Sequence, residues 1–167
     1  MGIFLSRTLY NINDVGSYNS ICNSLEKFFR TLLLRQKKVF GHKELVPEYE
    51  LYLFPFCTED RDEHDDRIIN LHIYERLKSF SNIHLYNNKI EIDQILPLFK
   101  KFNSTICTRF HAHIFSIMAD IPFLSISTTK KVSNIIDEIV NVYGSETNLQ
   151  SKIIKKANFD KDNIHTC

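Results

Sequence analysis

Arg109, His111 and His113 stand in the run TRFHAH, between an apolar stretch ending at Cys107 and a longer one running to Met118. An arginine offers a permanent, planar fork for phosphate or carboxylate, and an imidazole can both hydrogen-bond an anion and move a proton near neutral pH. Where a helix opens directly after a strand, unpaired backbone N–H groups and the positive end of the helix dipole add to the same field. This combination suits a phosphorylated or carboxylated substrate whose chemistry includes a proton transfer. Positions 109 and 111 diverge on a regular helix, but both can reach one pocket from an irregular first turn. The competing reading stays open: Arg109 pairs with an acidic side chain and His111 is a satisfied buried imidazole. His113 is expected to face packing or backbone.

Other chemistries find less support. HAH is followed by no carboxylate or cysteine at helical ligand spacing, so no metal is expected there. The loop CTEDRDEHDD, 57 to 66, is rich in carboxylates, but arginine interrupts it and the EF-hand glycine is missing. It reads as a solvated acidic loop in which Asp65 or Asp66 caps a helix. Neither GxGxxG, GxxxxGK[ST] nor GxSxG occurs, and there are 4 glycines in all, so any phosphate must be held by side chains and helix ends. Cys22, Cys57, Cys107 and Cys167 are widely spaced, which fits free thiols in a reducing compartment. The Cys107 thiol is expected to face the core.

The elements that must position these residues follow from hydrophobic period. Short apolar runs alternate with helical ones, the pattern of strand-helix-strand units in a parallel sheet. The strands are GIFLS, YELYLFPF, NIHLY, STIC and PFLSIS. After Asn13, Asp14 and Gly16, Ser17 caps a helix burying Tyr18, Ile21, Cys22, Leu25, Phe28, Phe29 and Leu32. A second helix buries Ile69, Ile73 and Leu77, and a third buries Ile92, Ile95, Leu96 and Phe99, with Asp93 as its cap and Pro97 near its first turn. RFHAHIFSIMA is apolar on nearly every side and is expected to be a buried helix. Thr128 or Thr129 caps a last one carrying Val132, Ile135, Ile136, Ile139 and Val140. The result is an α/β, doubly wound, mostly parallel, Rossmann-like sheet of about five strands with flanking helices, whose ligands sit beyond the carboxyl ends of the strands. Residues 1–143 form this domain; 144–167 form a polar tail with one short helix at 148–157.

The length of 167 residues suits one domain, and a net charge of +1 excludes broad electrostatic binding to nucleic acid or anionic membrane. No stretch approaches the ~18 apolar residues of a membrane span, and the N-terminus lacks a secretory pattern, so a soluble, cytoplasmic chain is expected. Gly2 and Ser6 match a myristoylation pattern, yet the segment reads better as a buried strand. NST at 103–105 is set aside as a glycosylation acceptor for want of a secretory route.

The order strand, TRFHAHIFSIMADIPFLSIS, then TTKKV resembles the C-terminal half of the polysaccharide pyruvyl transferase family, in which R-[LF]-H-A precedes a small-residue helix, a proline-started strand and a lysine. GIFLSR and DDRIINLHIYERL extend the resemblance over about residues 1–143. It implies half of a GT-B-like architecture and transfer of pyruvate from phosphoenolpyruvate to two sugar hydroxyls as a ketal, with no other cofactor. By position it implies that Arg109 binds the donor, that His111 binds it and protonates the enol carbon, and that Arg7 and Lys131 contribute positive charge. Asp65 or Asp66 is the candidate base, and Thr128 replaces a common aromatic residue. The family's N-terminal domain is absent from these residues, so a separate N-terminal-half polypeptide or self-association is expected to complete the cleft. The alternatives are a non-catalytic ligand-binding or interaction module of the same fold, or half of a nucleotide-sugar glycosyltransferase.

Overall fold

The run GIFL is apolar without alternation, as a strand covered on both faces must be, and in the computed structural model it lies at the centre of the sheet. Residues 1–7, 15–41, 43–59, 64–127, 134, 138 and 153–158 are described. Strand β1 (Gly2–Phe4) pairs in parallel with β4 (Leu51–Leu53) on one side and β6 (Thr105–Cys107) on the other. Beyond β4 lies β5 (Ile83–Leu85), and beyond β6 lies β7 (Phe123–Ser127), both parallel. These five strands run in the order β5-β4-β1-β6-β7. The chain therefore reverses direction across the sheet between β1 and β6, the topological switch point at which doubly wound sheets bind ligands.

Side chains alternate across the strands, and each face takes its own helices. Ile3, Leu5, Leu51 and Leu53 meet Leu25 and Phe29 of α1 (Val15–Leu33) and Ile69 and Ile73 of α2 (Asp66–Leu77). Phe4, Phe54 and Cys107 meet Ile95 and Phe99 of α3 (Ile92–Phe99) and Ala112 of α4 (Phe110–Met118). Burying each large apolar side chain contributes about 1.5–3 kcal/mol, so both faces are needed to hold β1 in place. Gly2 is there for space: a Cβ would lie 2.8 Å from the Phe102 ring.

Several details differ from the sequence reading. Helix α1 begins at Val15, upstream of Ser17, so Ser17 lies inside its first turn and is not the cap. Helix α3 begins at Ile92 after Glu91, Asp93 sits in its first turn, and Pro97 falls in its interior. The helix accommodates the proline because it ends at Phe99 and Pro97 is exposed. Helix α4 is not covered all round: it buries Ala112, His113 and Ser116 along one stripe and leaves Met118 57% exposed, because the sheet meets it from one side only. Asp120, with φ of 59°, closes it in the left-handed region. Asp65, not Asp66, caps α2, its carboxylate accepting the Arg67 N–H at 2.9 Å. A small antiparallel hairpin, β2 (Gln36–Lys37) with β3 (Val46–Pro47), precedes β4. Where a helix was expected within 148–157, Ile153–Asn158 form β8, parallel to β7 at that edge. Pairing along an open edge satisfies the backbone there. Asn134 and Glu138 are helical; the rest of the expected last helix, with Thr128, Thr129 and Lys131, lies outside the described residues.

Candidate active site

The carboxyl ends of β1 and β6 are tied together before any functional side chain is considered. Thr108 Oγ1 donates to Phe4 O at 3.1 Å and accepts from Ser6 N at 2.5 Å, while Thr108 N also donates to Phe4 O. Each tie joins residues about a hundred positions apart, which fixes the start of α4 relative to the end of β1.

Asp66 is the hub of this junction. It is fully buried, and its carboxylate accepts backbone N–H groups of Arg7 at 2.9 Å, Cys57 at 2.9 Å and Phe56 at 3.2 Å. Arg109 completes the set: Nε lies 3.0 Å from Oδ2 and Nη2 lies 2.6 Å from Oδ1. Nη2 also donates to His64 O at 3.1 Å. A buried carboxylate is tolerable only when so fully paired. The acidic pairing left open in the sequence is thus present: Arg109 is aimed by Asp66, across 43 positions of chain.

Asp65 is committed as well. Burial pushes its carboxyl up, but hydrogen bonds from Arg67 and the positive charges of Arg67 and Arg7 outweigh this and hold it below the usual carboxylate range. The Arg67 guanidinium lies 2.8 Å away. Arg7 therefore sits in this junction through both its backbone bond to Asp66 and its charge beside Asp65.

Helix α4 opens at Arg109, whose extended backbone (φ −86°, ψ 136°) makes it the cap without a side-chain cap bond. The N–H groups of Phe110 and His111 stand in the first turn, where no helical carbonyl precedes them. His111 is exposed and lies flat beside the Phe56 ring, 6.2 Å between centroids and 15° between planes. It is not the buried imidazole of the competing reading; that role belongs to His113. His113 Nδ1 donates to Arg109 O at 2.7 Å, so in its neutral form Nε2 accepts from Ser125 Oγ at 2.8 Å. Burial pulls its pKa down to about 4, against smaller opposing hydrogen bonds to the Arg109 and Phe110 backbone.

The carboxyl ends of β1 and β6 thus hold Arg7, Arg109 and His111 around the opening of α4, with Asp65 and Asp66 behind them. A family model described as polysaccharide pyruvyl transferase matches residues 2–130. The chain belongs to the polysaccharide pyruvyl transferase family. No curated protein and no solved structure gives a significant match. The pyruvyl transferase match spans β1 through β7 and includes Arg7, Asp65, Asp66, Arg109 and His111; Lys131 lies one residue past it and outside the described residues.

Thr108, Phe56 and Ser125 escaped the sequence reading. The first links two strand ends, the second backs His111, and the third fixes His113; only Thr108, flanking the arginine motif, carried a local signal. Among the described residues no group of three or more His, Cys, Asp or Glu could hold a metal, and no helix is long and apolar enough to cross a membrane.

Proposed function

We propose that the opening of α4 binds phosphoenolpyruvate and that the chain takes part in transferring its pyruvyl group to two hydroxyls of a sugar. The observation that carries this is an exposed imidazole, His111, on the first turn of the helix that Arg109 caps, at the switch point of the sheet. The helix N-terminus and Arg109 favour the phosphate or carboxylate, with Arg7 and Lys131 adding positive charge. His111 then gives a proton to the methylene carbon, making the methyl group and a cationic carbon that one sugar hydroxyl attacks. That hydroxyl's proton recharges the imidazole. Phosphate leaves, and the second hydroxyl closes the ketal while its proton departs with phosphate. One imidazole closes the proton balance, so Asp65 and Asp66 serve in this reading as anchors for the cations, not as the base.

A second reading, binding without turnover, is favoured by one observation: Arg109 already gives Nε and Nη2 to Asp66 and His64, so it offers an anion less than its whole fork. Calorimetric titration with phosphoenolpyruvate separates the outcomes. Binding that falls at least tenfold in His111→Ala and in Arg109→Lys, with release of phosphate on adding sugar acceptors, supports the transferase. Saturable binding without phosphate release supports the module, and no binding by the intact chain refutes both.

A further inference from the structure

An edge strand exposed on one face normally turns polar side chains outward. Here the outward side chains are aromatic rings. On the α3 side, β4 and the residue after it present Tyr52 and Phe54, and β5 with its following residue presents His84 and Tyr86. Tyr52 and His84 are register partners stacked at 4.6 Å, and Phe54 and Tyr86 are stacked at 4.5 Å with 15° between planes. Helix α3 leaves β5 at the sheet edge and crosses back toward β6, so it covers Phe54 but leaves Tyr86 46% exposed. Between Tyr86 and α3 runs a groove of about 430 Å³ with Asn88, Lys89, Asp93, Gln94 and Lys101 as its polar lining. A second hollow, of about 950 Å³, shares Phe54, Tyr86, Leu98 and Lys101 with it.

The chemistry of this lining is selective. A diphosphate needs a glycine-rich turn, which the loop YNNKIE lacks, or a helix N-terminus, and at that of α3 the Glu91 and Asp93 carboxylates oppose its charge. A simple anion would find two lysines there, but Lys89 already lies 3.7 Å from the Glu91 carboxylate, and Asp93 lines the same groove as Lys101. A pyranose fits both parts: its flat C–H face is apolar and buries well on an aromatic ring, while its rim of neighbouring hydroxyls pairs with planar amides, which donate and accept, and with carboxylates, which accept at two oxygens. The volume lies within the ~300–1,000 Å³ of small-ligand sites.

We propose that the groove between the β5 edge and α3 is a saccharide-binding site, with Tyr86 as the platform and Asn88, Asp93 and Gln94 as partners of the sugar hydroxyls. Identifying that sugar as the pyruvyl acceptor rests on the transferase reading above; recognition of a saccharide does not. The groove and His111 share one side of the sheet. A run of ring contacts joins them, from Tyr86 through Phe54 and Phe4 to Phe56 and His111, with centroids no more than 6.2 Å apart at any step.

Saturation-transfer difference NMR on the folded chain tests this with methyl glucoside, galactoside, mannoside and N-acetylglucosaminide as probes, and uridine 5′-monophosphate as the rival. Transfer to the ring protons of at least one glycoside is expected, reduced at least fivefold in Tyr86→Ala and in the exposed double variant Asp93→Asn/Gln94→Ala. The proposal is overturned if no glycoside shows transfer, if both groove variants retain it, or if the nucleotide displaces the sugar. A parallel phosphoenolpyruvate titration reads the other site independently. Sugar binding without phosphoenolpyruvate binding removes the acceptor role and leaves the saccharide site; the reverse removes the saccharide site alone.

Discussion

Replacing Asp66 by asparagine keeps the shape of the side chain and removes the charge that aims Arg109. Asp66 is fully buried, and its oxygens take three backbone N–H groups as well as Nε and Nη2 of Arg109. Asparagine has one accepting oxygen, so its NH2 must face either the Phe56 and Cys57 N–H groups with Arg109 Nε, or the Arg7 N–H with Arg109 Nη2, donor against donor. Removing one partner of a buried ion pair costs about 3–5 kcal/mol. Arg109 is 22% exposed and water recovers part of its solvation, which places the cost near the lower end, about 3 kcal/mol. For a domain of this size that is a fall in Tm of about 6–12 °C. Urea denaturation measures the loss, and a double-mutant cycle with Arg109→Met isolates the pair: coupling of at least about 1 kcal/mol is expected. A loss below about 1 kcal/mol, or strict additivity, would refute the assignment of Asp66 as the group that holds Arg109.

Three other outcomes follow from the same geometry. The unfolded His113 imidazole takes its proton near pH 6.5, whereas the folded one resists until about 4. Between those values the unfolded chain binds more protons, so acidification destabilises the fold by up to about 3 kcal/mol; His113→Gln should remove that part of the pH slope in denaturation curves from pH 7 to 4, and an unchanged slope would count against it. Burial drives the Cys107 thiol up to about 11, so iodoacetamide at neutral pH should label Cys107 only after unfolding, as peptide mass spectrometry would show; labelling in the native state would mean the strand end is open. Gly2→Ala must push the Phe102 ring aside and is expected to cost about 1–3 kcal/mol in urea denaturation, while a neutral result would show the ring moves freely.

The strands were legible because β1, β4, β5, β6 and β7 each carry an apolar run bounded by turn residues. The spacing of Cys22, Leu25 and Phe29 shows which face of α1 is buried, since period is a local property. The cap of α2 was legible to within one residue, as Asp65 or Asp66, for the same reason. Features that rest on distant partners were not. Nothing in the spacing says that Asp66 will meet Arg109, or that Ser125 will meet His113, because those contacts exist only after β6 has paired with β1 and β7. The hairpin at Gln36–Lys37 and Val46–Pro47 has strands too short to leave a pattern. The sequence suggests a helix at 148–157 because the pairing of Ile153–Asn158 with the β7 edge cannot be seen in those residues alone. The RFHA motif located the candidate site, but which of its two histidines is buried, with both ring nitrogens satisfied, and which is exposed follows only from the fold.

The most direct test of the account is a titration of the ¹⁵N-labelled chain with phosphoenolpyruvate, followed by amide chemical shifts. The account predicts that the largest, saturable shifts fall on Phe110 and His111 at the opening of α4, with smaller ones at Thr108 and Arg109. Absence of shifts there, or shifts centred on Lys89 and Lys101 in the groove, would contradict it.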